Sequence, residues 1–280
     1  MTSTDARVWL ITGSSTGFGR SIAEAALGAG DRVVATARRP EALDELVAAA
    51  PGRVLALPLD VTDLRQVDAV VAAARSRFGR LDVLVNNAGY GSVGAVEELD
   101  DGELRELMDT MFFGAVAAAR AVLPVMRAQR SGAIVQMSSM GGQVAPAGFG
   151  AYCAAKFALE AISESLAAEV APLGIRVLVV EPGAFRTSFG GGAMRRSRDI
   201  GVYAETVGPT RAAVDAMDGA QPGDPARAAG AILAALDSDA APLRLALGDD
   251  AVDAIGGALD RRRADLDAWE AVSRGTALVG

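Results

Sequence analysis

The 280-residue chain is half hydrophobic, carries few aromatics and has a net charge of −8, which points to a folded globular protein and away from a Lys/Arg-driven hold on nucleic acid or anionic membrane. It has no histidine and a single cysteine, Cys153, so Ser-His-Asp and Cys-His hydrolysis, imidazole zinc sites and intrachain disulfides are excluded. Any general acid or base is then Tyr, Lys, Asp or Glu, and with no apolar run near the roughly 18 residues of a membrane span, a cytoplasmic location is expected.

Residues 8–12 form an apolar run, followed by Gly13-Ser14-Ser15-Thr16-Gly17-Phe18-Gly19 and a helical stripe of Ile22, Ala23, Ala26 and Leu27. The order is strand, glycine turn, helix. Glycines serve where the backbone turns tightly or must approach a pyrophosphate, and the free N–H groups at the helix start face the phosphates. Gly13, Gly17 and Gly19 are spaced differently from the GxGxxG fingerprint, so the position of the turn between a strand and a helix carries the reading.

Residues 32–37 read as a second buried strand that ends in Arg38-Arg39-Pro40. Arg38 stands nineteen residues after Gly19, close to the roughly 20 at which dinucleotide folds read the adenosine ribose. An acidic residue there would bond a 2′-hydroxyl. Two guanidiniums fit a 2′-phosphate by charge and fork geometry, so NADP is preferred over NAD, with solvated loop charges as the plain alternative.

A third strand, 54–59, ends at Asp60-Val61-Thr62, a helix spans 64–77, and a fourth strand, 81–85, ends in Asn86-Asn87-Ala88-Gly89. This alternation implies right-handed crossovers and a parallel sheet, with ligand loops at the carboxyl ends of its strands. Residues 103–127 form a long amphipathic helix or a pair of helices, in which Leu104, Leu107, Met108, Met111 and Phe112 make a core stripe.

After a buried strand at 132–137 come Ser139, Tyr152 and Lys156. Tyr152 and Lys156, four apart at the start of a helix that runs to 170, share one face. The strand 175–180 leads into Pro182-Gly183-Ala184-Phe185-Arg186-Thr187, after which periodicity breaks down as far as 223. Residues 184–223 are therefore expected to form a substrate loop or lid. A helix at 225–236, a last strand at 243–247 and a charged helical tail complete what reads as one domain, 1–280.

Together the glycine turn, Asn86-Asn87-Ala88-Gly89, Ser139, Tyr152-x-x-x-Lys156 and Pro182-Gly183-x-x-x-Thr187 resemble the short-chain dehydrogenase/reductase family. The charged tail is most similar to members grouped with 17β-hydroxysteroid dehydrogenases. The resemblance implies an α/β fold, a Rossmann-type doubly wound seven-stranded parallel sheet in a three-layer αβα sandwich. It also implies NADP(H) along the carboxyl edge and hydride transfer between the nicotinamide and a secondary alcohol or ketone.

Residue by residue, the resemblance makes Tyr152 the general acid/base and Ser139 the partner of the substrate oxygen. Lys156 holds the nicotinamide ribose and lowers the tyrosine pKa from about 10. Gly13, Ser14, Ser15, Thr16, Gly17, Phe18 and Gly19 would cradle the pyrophosphate. Asp60 and Val61 would meet the adenine, and Asn87, Ala88 and Gly89 the adjacent ribose. Pro182, Gly183, Phe185 and Thr187 would border the carboxamide. Tyr90, Val144, Ala145, Phe149, Phe185, Phe189 and Met194 are expected to line an apolar pocket for a small-molecule carbonyl or alcohol. The helices carrying Met111 and Tyr152 commonly meet their copies in this family, which implies a homodimer or homotetramer.

One position departs from the family pattern. Members commonly carry an asparagine that holds a relay water behind the lysine, and here the segment reads Thr110-Met111-Phe112-Phe113-Gly114. A thioether is a poor water ligand, so activity is expected to be retained but slowed. An NADP(H)-binding sensor or scaffold, or an epimerase or dehydratase on the same fold, are the competing readings.

Overall fold

The computed structural model describes residues 6–189 and 191–278. The main sheet contains β1 (Val8–Ile11), β2 (Arg32–Ala37), β3 (Val54–Pro58), β4 (Val83–Asn86), β6 (Gly132–Met137), β7 (Ile175–Pro182) and β9 (Arg244–Leu247). Its order is β3-β2-β1-β4-β6-β7-β9, and every pairing is parallel. The order reverses between β1 and β4, which opens a crevice beyond their carboxyl ends.

Two apolar layers explain why the strands read as continuous hydrophobic runs. Trp9, Ile11, Val33 and Val85 pack on one face with α1 (Gly17–Gly28), α2 (Asp44–Ala49) and α8 (Pro225–Asp237). Val8, Leu10, Val34 and Leu84 face the other way, onto α3 (Leu64–Phe78), α5 (Gly114–Gln129) and α6 (Gly150–Val170). Successive residues of a strand point to opposite faces, so both sets must be apolar when both faces are covered. The result is the doubly wound three-layer arrangement expected from the sequence.

Several details differ from the sequence reading. α6 begins at Gly150, which brings Tyr152 fully into its first turn. The expected long helix is α4 (Asp101–Met108) and α5, joined by a π-helical turn, Asp109–Phe113, that contains Met111. This 29-residue run is long and apolar enough by composition to cross a membrane. It nevertheless buries Ala118, Ala119, Val122 and Met126 in the sheet's own core.

Residues 184–223 hold β8 (Met194–Arg196) and α7 (Gly208–Met217). β8 pairs in parallel with β5 (Gly91–Val93), the chain just after β4. The segment is anchored at the buried carboxylate of Glu98, which accepts from Ala95 N at 2.7 Å, Ile200 N at 3.0 Å and Arg211 Nη2 at 2.5 Å. A final helix, α9 (Asp249–Arg274), follows β9.

Candidate active site

The site is assembled from the loops that leave the carboxyl ends of β1, β2, β3, β4, β6 and β7. At β1, Gly13 and Gly17 adopt φ of +70° and +57°, a region that favours glycine. A Cβ on Gly19 would lie 2.3 Å from the Gly13 carbonyl oxygen and 2.5 Å from Asn87 Nδ2, so only glycine permits this approach. Thr16, at the N-cap of α1, makes no side-chain capping bond. The first-turn N–H groups therefore remain available to an anion.

Asn87 and Thr12 join the β1 and β4 loops. Asn87 Nδ2 donates to the carbonyls of Thr12 at 2.9 Å and Gly13 at 3.0 Å. Thr12 Oγ1 accepts from the backbone N–H of Asn87 and Ala88 at 2.9 and 3.0 Å. These bonds tie the turn to the sheet and fix its open face.

A cleft of about 1090 Å³ runs from this turn to the space beneath the 184–223 segment. Gly13, Ser15, Thr16, Gly17, Phe18, Arg38, Asp60, Val61, Asn87, Ala88 and Gly89 line one part of it. Ser139, Tyr152, Lys156, Pro182, Gly183, Phe185 and Thr187 line its middle, and Tyr90, Val144, Phe149, Phe189 and Met194 its far end.

Four expected site residues do not reach the cleft. Ser14 is buried with its hydroxyl on the Ile11 carbonyl at 2.8 Å, and Gly19 serves the close packing beneath the turn. Arg39 and Ala145 are exposed outside the cleft lining. Arg38 sits on the cleft wall and has no ion-pair partner among the described residues.

At the chemical centre, Ser139 Oγ accepts from Gly141 N at 3.0 Å and donates weakly to the Pro182 carbonyl at 3.4 Å. Tyr152 is buried between Phe149 and Phe189, whose ring centroids lie 6.2 and 5.3 Å away. Burial pushes the phenol well above its usual range, opposed by the hydrogen bond to Ser139 and slightly reinforced by Cys153. The expectation that Lys156 lowers this pKa is not met. Its Nζ turns to the Met137 carbonyl at 2.6 Å and lies 5.7 Å from the Tyr152 ring centroid. Burial pushes the lysine itself down to about 8, with Glu160 pulling it partly back.

Behind Lys156 is a small internal cavity of about 10 Å³, lined by Asn86, Thr12 and Met111 among others, roughly the space of one water. Met111 is 1% exposed and packs against Leu107, Tyr152 and Cys153. It is a core residue, as its place in the apolar stripe suggested. Asn86 Nδ2 donates to Ala115 O and Gln136 Oε1, while its buried Oδ1 has no hydrogen-bond partner among the described residues.

The sequence reading did not single out the residues that 184–223 contributes besides Phe185, Thr187, Phe189 and Met194. Val214 and Met217 from α7 close the far end of the cleft. Arg195 stacks 4.3 Å from the centroid of Tyr90 and pairs with Glu106 at 2.5 Å at the cleft edge. No periodicity marks these positions, because the elements carrying them are short and are held by long-range contacts.

A parallel sheet with its crevice at the β1/β4 reversal, a glycine turn opening a helix, and Ser, Tyr and Lys converging beside that turn define a Rossmann-type oxidoreductase. The profile of the short chain dehydrogenase family matches residues 7–196, and the chain belongs to that family. It is 41% identical to the oxidoreductase BOA17 of Botryotinia fuckeliana, over 97% of this chain and 99% of that one. A short-chain dehydrogenase from Streptomyces avermitilis superposes with a TM-score of 0.94 at 58% identity, covering 98% of this chain and all of that one. A short chain dehydrogenase from Burkholderia cenocepacia, solved in complex with NADP, gives a TM-score of 0.74 at 26% identity, over 94% and 97% of the two chains.

Proposed function

We propose that the protein is an NADP(H)-dependent oxidoreductase that interconverts a secondary alcohol and a ketone, with Tyr152 as the general acid/base. The observation carrying this reading is that Ser139, Tyr152 and Lys156 meet in one cleft with the glycine turn and the unpaired Arg38. The residues fit a dinucleotide. The uncapped start of α1 suits a pyrophosphate, Arg38 a 2′-phosphate, and the close packing at Gly19 keeps the turn low enough for backbone contact.

NADPH bound in this cleft supplies the hydride. The chain's own residues supply the proton and the positioning. Burial keeps the Tyr152 phenol protonated at neutral pH, ready to protonate a carbonyl oxygen. Ser139 gives up a weak 3.4 Å bond when its hydroxyl turns to that oxygen. Lys156, held by Met137, places a cation beneath the ribose side of the cleft. Phe149, Phe189 and Met194 around the tyrosine favour an apolar, bulky ketone and exclude water.

A second reading is a cofactor-binding sensor with weakened catalysis. It is favoured by Met111, whose thioether borders the cavity where the family's relay water would lie. NADPH consumption against a panel of ketones separates the two. The enzyme reading expects turnover that Tyr152→Phe abolishes while NADPH binding is kept. Tight NADPH binding without turnover of any carbonyl would reject it.

A further inference from the structure

The second half of α9 carries an apolar seam that no other described residue covers. In its first half, Ala251, Ile255 and Ala258 are buried against the domain. Arg262 ends that contact: its guanidinium bonds Gln143 and lies 5.6 Å from the Phe157 ring centroid. Beyond it the helix continues to Arg274, and every described residue from 259 to 278 is exposed.

The sequence nevertheless keeps its period past the domain edge. Val252, Leu259 and Leu266 stand seven apart, as do Ile255, Arg262 and Trp269. This is a heptad pattern, with one set at the first core position and the other at the fourth. Leu266 is 60% and Trp269 65% exposed. The overhang from 263 to 274 is about 18 Å long, and a helix that short is marginal in water without a packed face. A polar helix would serve as a simple end, whereas this one keeps Leu266 in line with Leu259 and Val252, which are 53% and 56% exposed, and Trp269 in line with the buried Ile255.

We infer that the overhanging half of α9 pairs with the same segment of a second copy of this chain, as a short antiparallel two-helix seam around a two-fold axis. The charges flanking the seam select both the occupant and the direction. Antiparallel pairing that sets Leu266 of each copy against Trp269 of the other also brings Arg263 opposite Glu270, and the two-fold axis makes that pair twice. Parallel pairing would instead set Asp265 against Glu270. Within one helix these charges are already used locally, Arg263 with Asp267 at 2.9 Å and Glu270 with Arg274 at 2.7 Å. The seam lies at the end of the molecule's last helix, apart from α5 and α6, and it does not depend on the proposed reaction.

The test is sedimentation velocity of the full-length protein from about 1 to 100 µM, with circular dichroism to confirm helix content in each variant. Wild type is expected to self-associate, and Leu266→Glu to raise the dissociation constant at least about tenfold or to halve the mass. Arg263→Glu and Glu270→Arg should each weaken association, and the double variant should restore it. Both local pairs stay repulsive in that double variant, so recovery can arise only between copies. Wild type that stays monomeric, association indifferent to Leu266→Glu, or no recovery in the double variant would each overturn the inference. So would a monomer that floats with phosphatidylcholine/phosphatidylglycerol vesicles through Trp269, which would make the seam a membrane contact.

Discussion

Lys156 Nζ and the Met137 carbonyl oxygen are joined by a 2.6 Å hydrogen bond within the buried floor of the cleft. The bond fixes the ammonium, but burial still pushes its pKa down to about 8. Lys156 is charged below that value and neutral above it, while burial keeps the Tyr152 phenol protonated throughout the range. The value of kcat/KM for NADPH, which reports the free enzyme, should therefore fall as pH rises through about 8. Lys156→Arg, which stays charged, should run slower at neutral pH but lose that alkaline limb. A wild-type profile flat to pH 10, followed as NADPH consumption, would show that the charge on Lys156 is not used.

Glu181 lies on the far side of the same strand ends. Its Oε1 accepts from Gln143 Nε2 at 2.9 Å, and Arg244 Nε lies 3.9 Å from Oε1 while bonding Glu160 at 2.9 Å. Burial, reinforced by the Glu160 carboxylate, raises its pKa from 4.5 to about 7 against the pull of Gln143 and Arg244. A group raised on folding stabilises the native state below its unfolded pKa, and that contribution is lost as pH rises through the folded value. Wild type should thus lose about 1–3 kcal/mol more stability than Glu181→Gln between about pH 5 and 8, as read by urea denaturation. Parallel pH profiles for the two proteins would contradict this assignment.

Met111 poses the relay question in a form that one substitution can answer. It fills the core beside Tyr152 and borders the one-water cavity next to Lys156. Met111→Asn introduces an amide beside the unpartnered Oδ1 of Asn86, at a cost of about 1–3 kcal/mol in stability from lost packing and a buried polar group. If proton supply limits the rate, turnover should rise about threefold to tenfold. Unchanged or lower turnover in a folded variant would mean that the step is limited elsewhere.

The sequence reveals those parts of this protein that local chemistry controls. β2 and β6 lie where their buried runs predicted them, because a strand covered on both faces reads as a near-continuous apolar run. The turn after β1 was legible from its glycines, and Tyr152 and Lys156 from helical spacing. What was not legible depends on distant partners. β5 and β8 are three residues each and exist because they pair with each other. Glu98 becomes the anchor of the 184–223 segment only once residues a hundred positions later reach it. The direction of the Tyr152 shift escaped the sequence for the same reason: spacing shows the lysine nearby, but neither the burial that raises the phenol nor the Met137 carbonyl that takes up the ammonium.

The proposed preference for NADP(H) rests on Arg38. It lines the cleft at the end of β2, exposed and without an ion-pair partner among the described residues, whereas Arg39 turns away from the cleft and starts the short helical turn Pro40–Leu43. A guanidinium in this position would bind a 2′-phosphate, whereas an aspartate would repel that group and accept a hydrogen bond from a 2′-hydroxyl instead. Arg38→Asp should weaken NADPH binding about 30-fold or more while leaving NADH binding unchanged or tighter, an effect of about 2 kcal/mol that fits one charge-assisted pair. Arg39→Asp should change the ratio far less, since only the general field of the loop is altered. Fluorescence titration of both nucleotides against the two variants measures the four constants. Equal losses for the two substitutions would mean that the loop selects by net charge alone, and unchanged NADPH affinity in Arg38→Asp would move 2′-phosphate recognition to another part of the cleft.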